Sequence, residues 1–426
     1  MTTVRAYINA RIINPKTGED FTGTLVTEGE AISALGPDVT APTGAEVMDC
    51  QGHVLAPGLI DMRVFVGEPG AEHQETIETA TLAAAVGGVT TMIVMPTTDP
   101  PVDEVSILEM IARRARKINR TRVEVMGAIT KNFEGKAMAE IGLMQDAGAV
   151  AFTDGDEVIR NARVLRRALS YADHLGALLV THAEDPDLGG PGLVNEGEMA
   201  TRLGLPASPV MAEVMGVNRD LSLIELTGAR CHIAQLSTAA ALDRIADAKS
   251  RGLPVSCGVS AAHLSLNEVD IGEYRTFFRM VPPLRSEDDR RALVEGIANG
   301  TIDVVVSNHC PRDQEEKRQP FEEAATGAVG LETLLPILLE LVHKGEADLP
   351  TVLRAVTSRP AELLGLEEGR MEVGAPADLV LIDLNSPWVL DADKLHSKSK
   401  NTPFDGRRLQ GRTIRTIVRG RTVFAL

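Results

Sequence analysis

Cysteine is scarce in this 426-residue chain: Cys50, Cys231, Cys257 and Cys310 are scattered, and no two of them form a CxxC pair. That spacing gives neither a disulfide framework nor a zinc knuckle of paired thiols. Most of the cysteines lie in or beside apolar strand-like runs, where a small buried thiol is the simple reading. No uninterrupted apolar run approaches the roughly 20 residues that a membrane helix needs. The opening MTTVRAYINARIINPKTGED carries no apolar signal core. A cytoplasmic location without membrane contact is therefore expected. Basic residues are in deficit, 43 against 60 acidic for a formal charge of -17, which argues against a surface that tracks a phosphate backbone. No nucleic-acid role is expected. Internal repeats and low-complexity tracts are also missing.

What is present is a large apolar fraction, 44% of residues, enough for one barrel-sized domain and a smaller one. From Pro57 to about residue 340, short runs rich in Val, Ile, Ala and Thr alternate with amphipathic stretches; examples are VTTMIVMP, ALLVTHAED and TIDVVVSNH. SEDDRRALVEGIANG opens with a serine cap, carries acids in its first turn and ends in glycine, as a helix does. About eight doubly apolar strands, each followed by a helix, predict a TIM-like (β/α)8 barrel over residues 57–365. Residues 1–56 and 366–426 read instead as short alternating strands between Gly, Pro and Asp turns. The two ends are expected to pair into a small β-sandwich. Two stretches after barrel strands, 185–209 and 310–330, read as irregular working loops. LETLLPILLELVHKG is apolar nearly all round and is expected in the core.

The first barrel run, PGLIDMRVFVGEPG, places Arg63 and Phe65 on one side of a strand end, because side chains alternate with period two. In a metal-dependent hydrolase built on a barrel, a histidine pair would stand there. The strand-end motifs as a set, including APGLIDMRVFVGEPG, GAVAFTDGDEV, HIAQLST, MVPPLRSEDDRRAL and SKSKNTPFDG, resemble the dihydroorotase family of the amidohydrolase superfamily in order and spacing. The likeness covers nearly the whole chain.

Active members resemble one another in a set of metal ligands, and this resemblance maps those ligands onto Arg63, Phe65, Gly155, His182, Gln235 and Asn308. Only His182 keeps a metal-binding side chain, unless a one-residue shift in TDGD brings in Asp154 or Asp156. The positions that hold substrate in the family fall on Gly67, Thr97, Val281 and Arg312. The turn residues Pro57, Gly58, Pro96, Pro282, Pro283, Leu284 and Arg285 persist. A lone imidazole cannot hold zinc where three or four ligands are needed, and a fixed guanidinium repels a dication. Asn308 cannot act as the base that the family has at that place.

No metal, cofactor or catalytic residue is therefore expected, with His182, Asp154 and Asp156 as weak residual candidates for a metal. His232 and His309 are expected to be satisfied by backbone, and Asp61 to be structural. Asp154, Asp156 and Glu184 read either as ion-pair partners of Arg63 and Arg312 or as parts of a small polar ligand site. The leading expectation is a catalytically inactive homologue, which by resemblance would partner aspartate carbamoyltransferase in pyrimidine biosynthesis and form a homo-oligomer. The alternatives are an active dihydroorotase or related zinc cyclic amidohydrolase, and a metal-free binder of a pyrimidine-like metabolite.

Overall fold

Strands that are apolar on both faces must be covered on both sides, and the computed structural model, which describes residues 3–426, meets that demand with a closed barrel inside a ring of helices. The chain opens with β1 (Val4–Asn14), β2 (Glu19–Glu28), β3 (Ala31–Gly36), β4 (Glu46–Asp49) and β5 (Val54–Pro57). There follow β6 (Leu59–Val64), β7 (Val89–Val94), β8 (Arg122–Gly127), β9 (Ala151–Thr153) and β10 (Leu179–Thr181). A short pair, β11 (Val194–Asn195) and β12 (Ala207–Ser208), precedes β13 (Cys231–Ile233), β14 (Val255–Ser260) and β15 (Val304–Val306). The chain closes with β16 (Leu379–Val389), β17 (Arg408–Val418) and β18 (Arg421–Ala425).

The barrel runs β6-β7-β8-β9-β10-β13-β14-β15 with parallel pairing throughout, and the parallel bridge Val64↔His309 closes it. Ile60, Met62, Ile93, Met126, Val180 and Val304 fill its interior, while Leu59, Val89, Val94, Leu179 and Ile233 pack outward on the helices. Those helices start where the sequence supplies caps. Thr76 caps Ile77–Gly87 through a capping box, and Ser286 accepts from Asp289 N ahead of Glu287–Ala298. The helix Leu334–His343 is buried on nearly every face, as its composition predicts.

The two chain ends share one sheet, β18-β17-β16-β5-β1-β2-β3, with β4 beside β1. The join is the antiparallel pairing of β5 with β16, Leu379 against Pro57, so the strand leading into the barrel is itself part of this second layer. Tyr7, Ile12, Leu25, Ile32, Leu55 and Ile417 form its core. Segment 185–209, expected to be irregular, instead holds the helices Pro186–Gly189 and Glu198–Leu203 and the parallel pair β11 and β12. These elements are too short to show a period in sequence.

Two buried polar devices fix the loops at the C-terminal end of the barrel. In the first, Glu213 lies wholly inside a helix face and accepts from Ser237 N (2.9 Å) and Thr238 N (3.2 Å), while Arg285 donates to Ser237 Oγ, Asn195 Oδ1 and Ser208 O at 2.8 to 3.1 Å. Their charged ends stand 4.0 Å apart. Burial pushes the Glu213 carboxyl up, and Arg285 and the Ser237 and Thr238 donors offset part of that rise. The second device is at the barrel's closing seam, where Asp61 Oδ1 accepts from Arg63 N and Ser307 N, each at 3.2 Å.

Removing one partner of a buried pair strands the other charge, so Arg285→Met is expected to cost about 3–5 kcal/mol, and the double variant Arg285→Met/Glu213→Gln to recover part of it, in urea unfolding. Burial raises the Asp61 carboxyl to about 6, with the Ser307 and Arg63 donors opposing the rise. A raised carboxyl contributes stability that is fully present below its ordinary value and is lost as pH rises through about 6. The stability of the wild type minus that of Asp61→Asn is thus expected to fall by up to about 3 kcal/mol between roughly pH 4 and pH 7. A difference that stays flat, or rises, across that range contradicts this assignment.

Candidate functional site

The C-terminal mouth of the barrel is organised by Arg63. Pairing of β6 with β7 shifts register between Asp61 and Val64, and the bulge moves Val64 to the outward set while Ile60 and Met62 stay inside. Arg63 is thereby turned into the mouth. It is 5% exposed, donates from Nε to Asn308 Oδ1 at 3.1 Å, and pairs through Nη2 with Asp156. Its Nη1 lies 3.8 Å from Met95 Sδ. Asn308 follows the last barrel strand and Asp156 follows the fourth, so one guanidinium ties the closing seam to the far side of the ring. Asn308 adopts φ +51°, a left-handed conformation that asparagine tolerates.

The remaining positions mapped from the sequence fall around this cation. Gly155 has φ +72°, and a Cβ placed there would lie 2.7 Å from Thr97 Cγ2. Two mapped positions, one for metal and one for substrate, are thus packed against each other, and a side chain at 155 would require Thr97 to shift. Asp154 is not free for a ligand: its carboxylate accepts from Ile129 N (2.8 Å), Thr130 N (2.9 Å) and Thr130 Oγ1 (2.5 Å). Burial raises it, and those donors restrain the rise. His182 is buried, with Nε2 3.5 Å from Glu184 Oε2 and with Nδ1 unpartnered. Burial works to raise the Glu184 carboxyl, but the His182 contact and Ser208 outweigh it and hold it below the usual range. Gln235 is 3% exposed, and neither its Oε1 nor its Nε2 has a partner.

Phe65 donates its backbone N–H to His309 O, and its ring lies under Arg312 with 5.5 Å from guanidinium carbon to centroid. Arg312 donates to Thr326 O at 2.9 Å. It makes no ion pair with Asp154, Asp156 or Glu184, so the grouping expected from sequence resolves into two separate pairs, Arg63 with Asp156 and His182 with Glu184, beside a stacked arginine. Gly67 lies in a tight turn where a Cβ would meet Ala71 O at 2.2 Å, and Val281 is only partly buried.

Of the two histidines expected to be satisfied by backbone, one departs from that reading and one meets it at a single ring nitrogen. His232 is satisfied by the Ser256 hydroxyl (2.8 Å) rather than by backbone, and burial pushes its imidazole down to about 4. His309 accepts at Nδ1 from Gly330 N, and its Nε2 faces Glu75 Oε2 at 3.4 Å, both side chains being fully buried. Glu75 also accepts from Ser397 Oγ and Lys398 N, joining the first loop, the last barrel strand and the SKSKN segment. Burial works to raise this carboxyl, and His309, Ser397 and Thr79 bring it below its ordinary value. Sequence reasoning missed Glu75. Its signal, an acid inside HQETIETA, looks like a first-turn helix residue until the fold brings His309 to it.

The donor set does not fit a zinc centre. Among the described residues no three His, Cys, Asp or Glu side chains stand together so as to hold a metal ion. The mouth offers a guanidinium, a phenyl ring, a bare Cα and two carboxamides around one imidazole.

Comparison with known proteins places this geometry. Residues 52–241 match the family model described as Dihydro-orotase-like, and residues 340–424 match that of the amidohydrolase family. The chain is 43% identical over 425 residues to the dihydroorotase of Anaplasma phagocytophilum, covering 98% of this chain and 95% of that one. It is 41% identical to the dihydroorotase of Geotalea daltonii, with 97% of each chain covered. Among solved structures, the L-hydantoinase (dihydropyrimidinase) of Arthrobacter aurescens superposes with a TM-score of 0.90 at 26% identity, covering 100% of this chain and 96% of the other. These relatives overturn the expectation of an inactive scaffold and favour its alternative, an active cyclic amidohydrolase. The expectation had equated a missing zinc ligand set with missing activity, a step that six positions cannot license against likeness along the whole chain. The chain belongs to the dihydroorotase family of the amidohydrolase superfamily.

Proposed function

We propose that the chain opens or closes a ring C–N bond in a cyclic amide that bears a carboxylate, as a dihydroorotase or related cyclic amidohydrolase, at the C-terminal mouth of its barrel. The supporting observation is the match at 40–43% identity, along nearly the full length of both partners, to proteins named dihydroorotase. Ring opening needs a polarised carbonyl, an activated water and a proton carrier. No step here runs through a metal, because the residues present do not fit one. The buried Gln235 carboxamide, its N–H unpartnered, supplies a donor of the kind that polarises a ring carbonyl, and Arg63 supplies a fixed, water-shielded positive charge that draws in an anionic ring. His182, with Nε2 turned to Glu184 and Nδ1 unpartnered, is the group able to take up a proton and return it.

The donor set itself favours a second reading, a metal-free binder of a pyrimidine-like metabolite, in which the same mouth holds the ring without opening it. A cytoplasmic location goes with either reading and is in keeping with four free cysteines. Association with aspartate carbamoyltransferase, implied by the resemblance, is a separate proposal that does not depend on turnover.

Dihydroorotate turnover, followed by ultraviolet absorbance at high enzyme concentration with a chelator present, is expected to proceed and to drop at least about a hundredfold in His182→Ala. Binding without turnover would replace the hydrolase reading by the second one. Turnover abolished by the chelator would show a metal site that these donors do not form.

A further inference from the structure

We propose that Arg63 is the resident cation of this barrel and that the mouth takes a carboxylate-bearing cyclic amide directly on it, Asp156 acting as an internal stand-in for the ligand's carboxylate and Gln235 reading the ring amide. The inference rests on the ring-binding half of the functional reading and names the groups that do the recognising.

Three independent observations carry it. The Arg63 side chain is 6% exposed and the Asp156 side chain 50% exposed, so the carboxylate partner stands at the rim and can swing away to uncover a guanidinium that cannot itself leave. A guanidinium fork matches an incoming carboxylate in the same planar way.

Gln235 is almost wholly buried with both amide atoms unpartnered, and His182 Nδ1 is unpartnered as well. Buried polar atoms without partners are costly and point to a missing ligand or water. One donor and one acceptor on the same carboxamide match the adjacent N–H and C=O of a ring amide.

The groups are also adjacent around the ring. Asp156 follows β9, His182 follows the neighbouring β10, and Thr181 pairs with Ile233, which places His182 beside Ala234 and next to Gln235.

The test is calorimetry and thermal melting with dihydroorotate, orotate and dihydrouracil in the presence of a chelator. Dihydroorotate and orotate are expected to bind and raise the melting temperature, while dihydrouracil, lacking the carboxylate, binds more weakly. Asp156→Asn removes the internal competitor and is expected to tighten binding by about three- to tenfold. Gln235→Leu removes a pair of hydrogen bonds and is expected to weaken it by about tenfold or more. Because it also removes two unsatisfied buried atoms, this variant is expected to melt no lower than the wild type, so lost affinity cannot be ascribed to misfolding. The proposal is overturned if neither carboxylate binds to wild type or to Asp156→Asn, if binding requires added zinc, or if Gln235→Leu binds as well as wild type. Binding without turnover supports the site and removes the hydrolase reading, so the two fail separately.

Discussion

A guanidinium fixed at the seam of a closed barrel is the constraint on which the mouth depends. Arg63 reaches from the first strand, beside the last, to the loop after the fourth, and its partners Asn308 and Asp156 come from those two places. A dication with several protein ligands would cross-link loops from opposite sides of the ring; here one side chain makes that link with hydrogen bonds and a single ion pair. Arg63 is deeply buried and held by Asn308 and Asp156, so the guanidinium is fixed in place. Everything around it must accommodate a cation that can neither dissociate nor exchange.

The rest of the loop architecture is held by polar contacts that do not involve the mouth. Glu75 ties the first loop to His309 and to the segment at Ser397, and Arg285 ties the β11–β12 pair to the strand end at Ser237. Both are buried acid or base groups with several donors or acceptors each, a condition under which such groups rigidify rather than weaken a core. The contacts that position the loops are therefore separate from the side chains that face the mouth. The chain is 43% identical to a dihydroorotase over nearly its whole length, and these loop contacts hold its mouth in place.

Much of the barrel was legible because its cause is local. Doubly apolar, β-branched runs such as VTTMIV fit buried parallel strands, and caps such as Ser286 mark where helices start. The identity of each residue at the strand ends was legible too, since each stands in a motif at fixed spacing. The consequences of those identities were not. Asp154 and Asp156 sit two residues apart in one turn, yet one is consumed by Thr130 and backbone while the other meets Arg63. Glu75 and His309 are 234 positions apart and meet only because the barrel closes. The short elements between 185 and 209 also escaped, because a two-residue strand has no period to detect.

The sequence by itself determined the layers, the strand-then-helix order and the identity of every side chain at the strand ends, because period, capping and turn chemistry act over a few residues. Only the tertiary structure decided which of those side chains face one another, which carboxylate pairs with the guanidinium and which amide is left without a partner. The physical reason is that a barrel mouth is assembled from strand ends far apart in the chain, so its electrostatics exist only once the ring has closed.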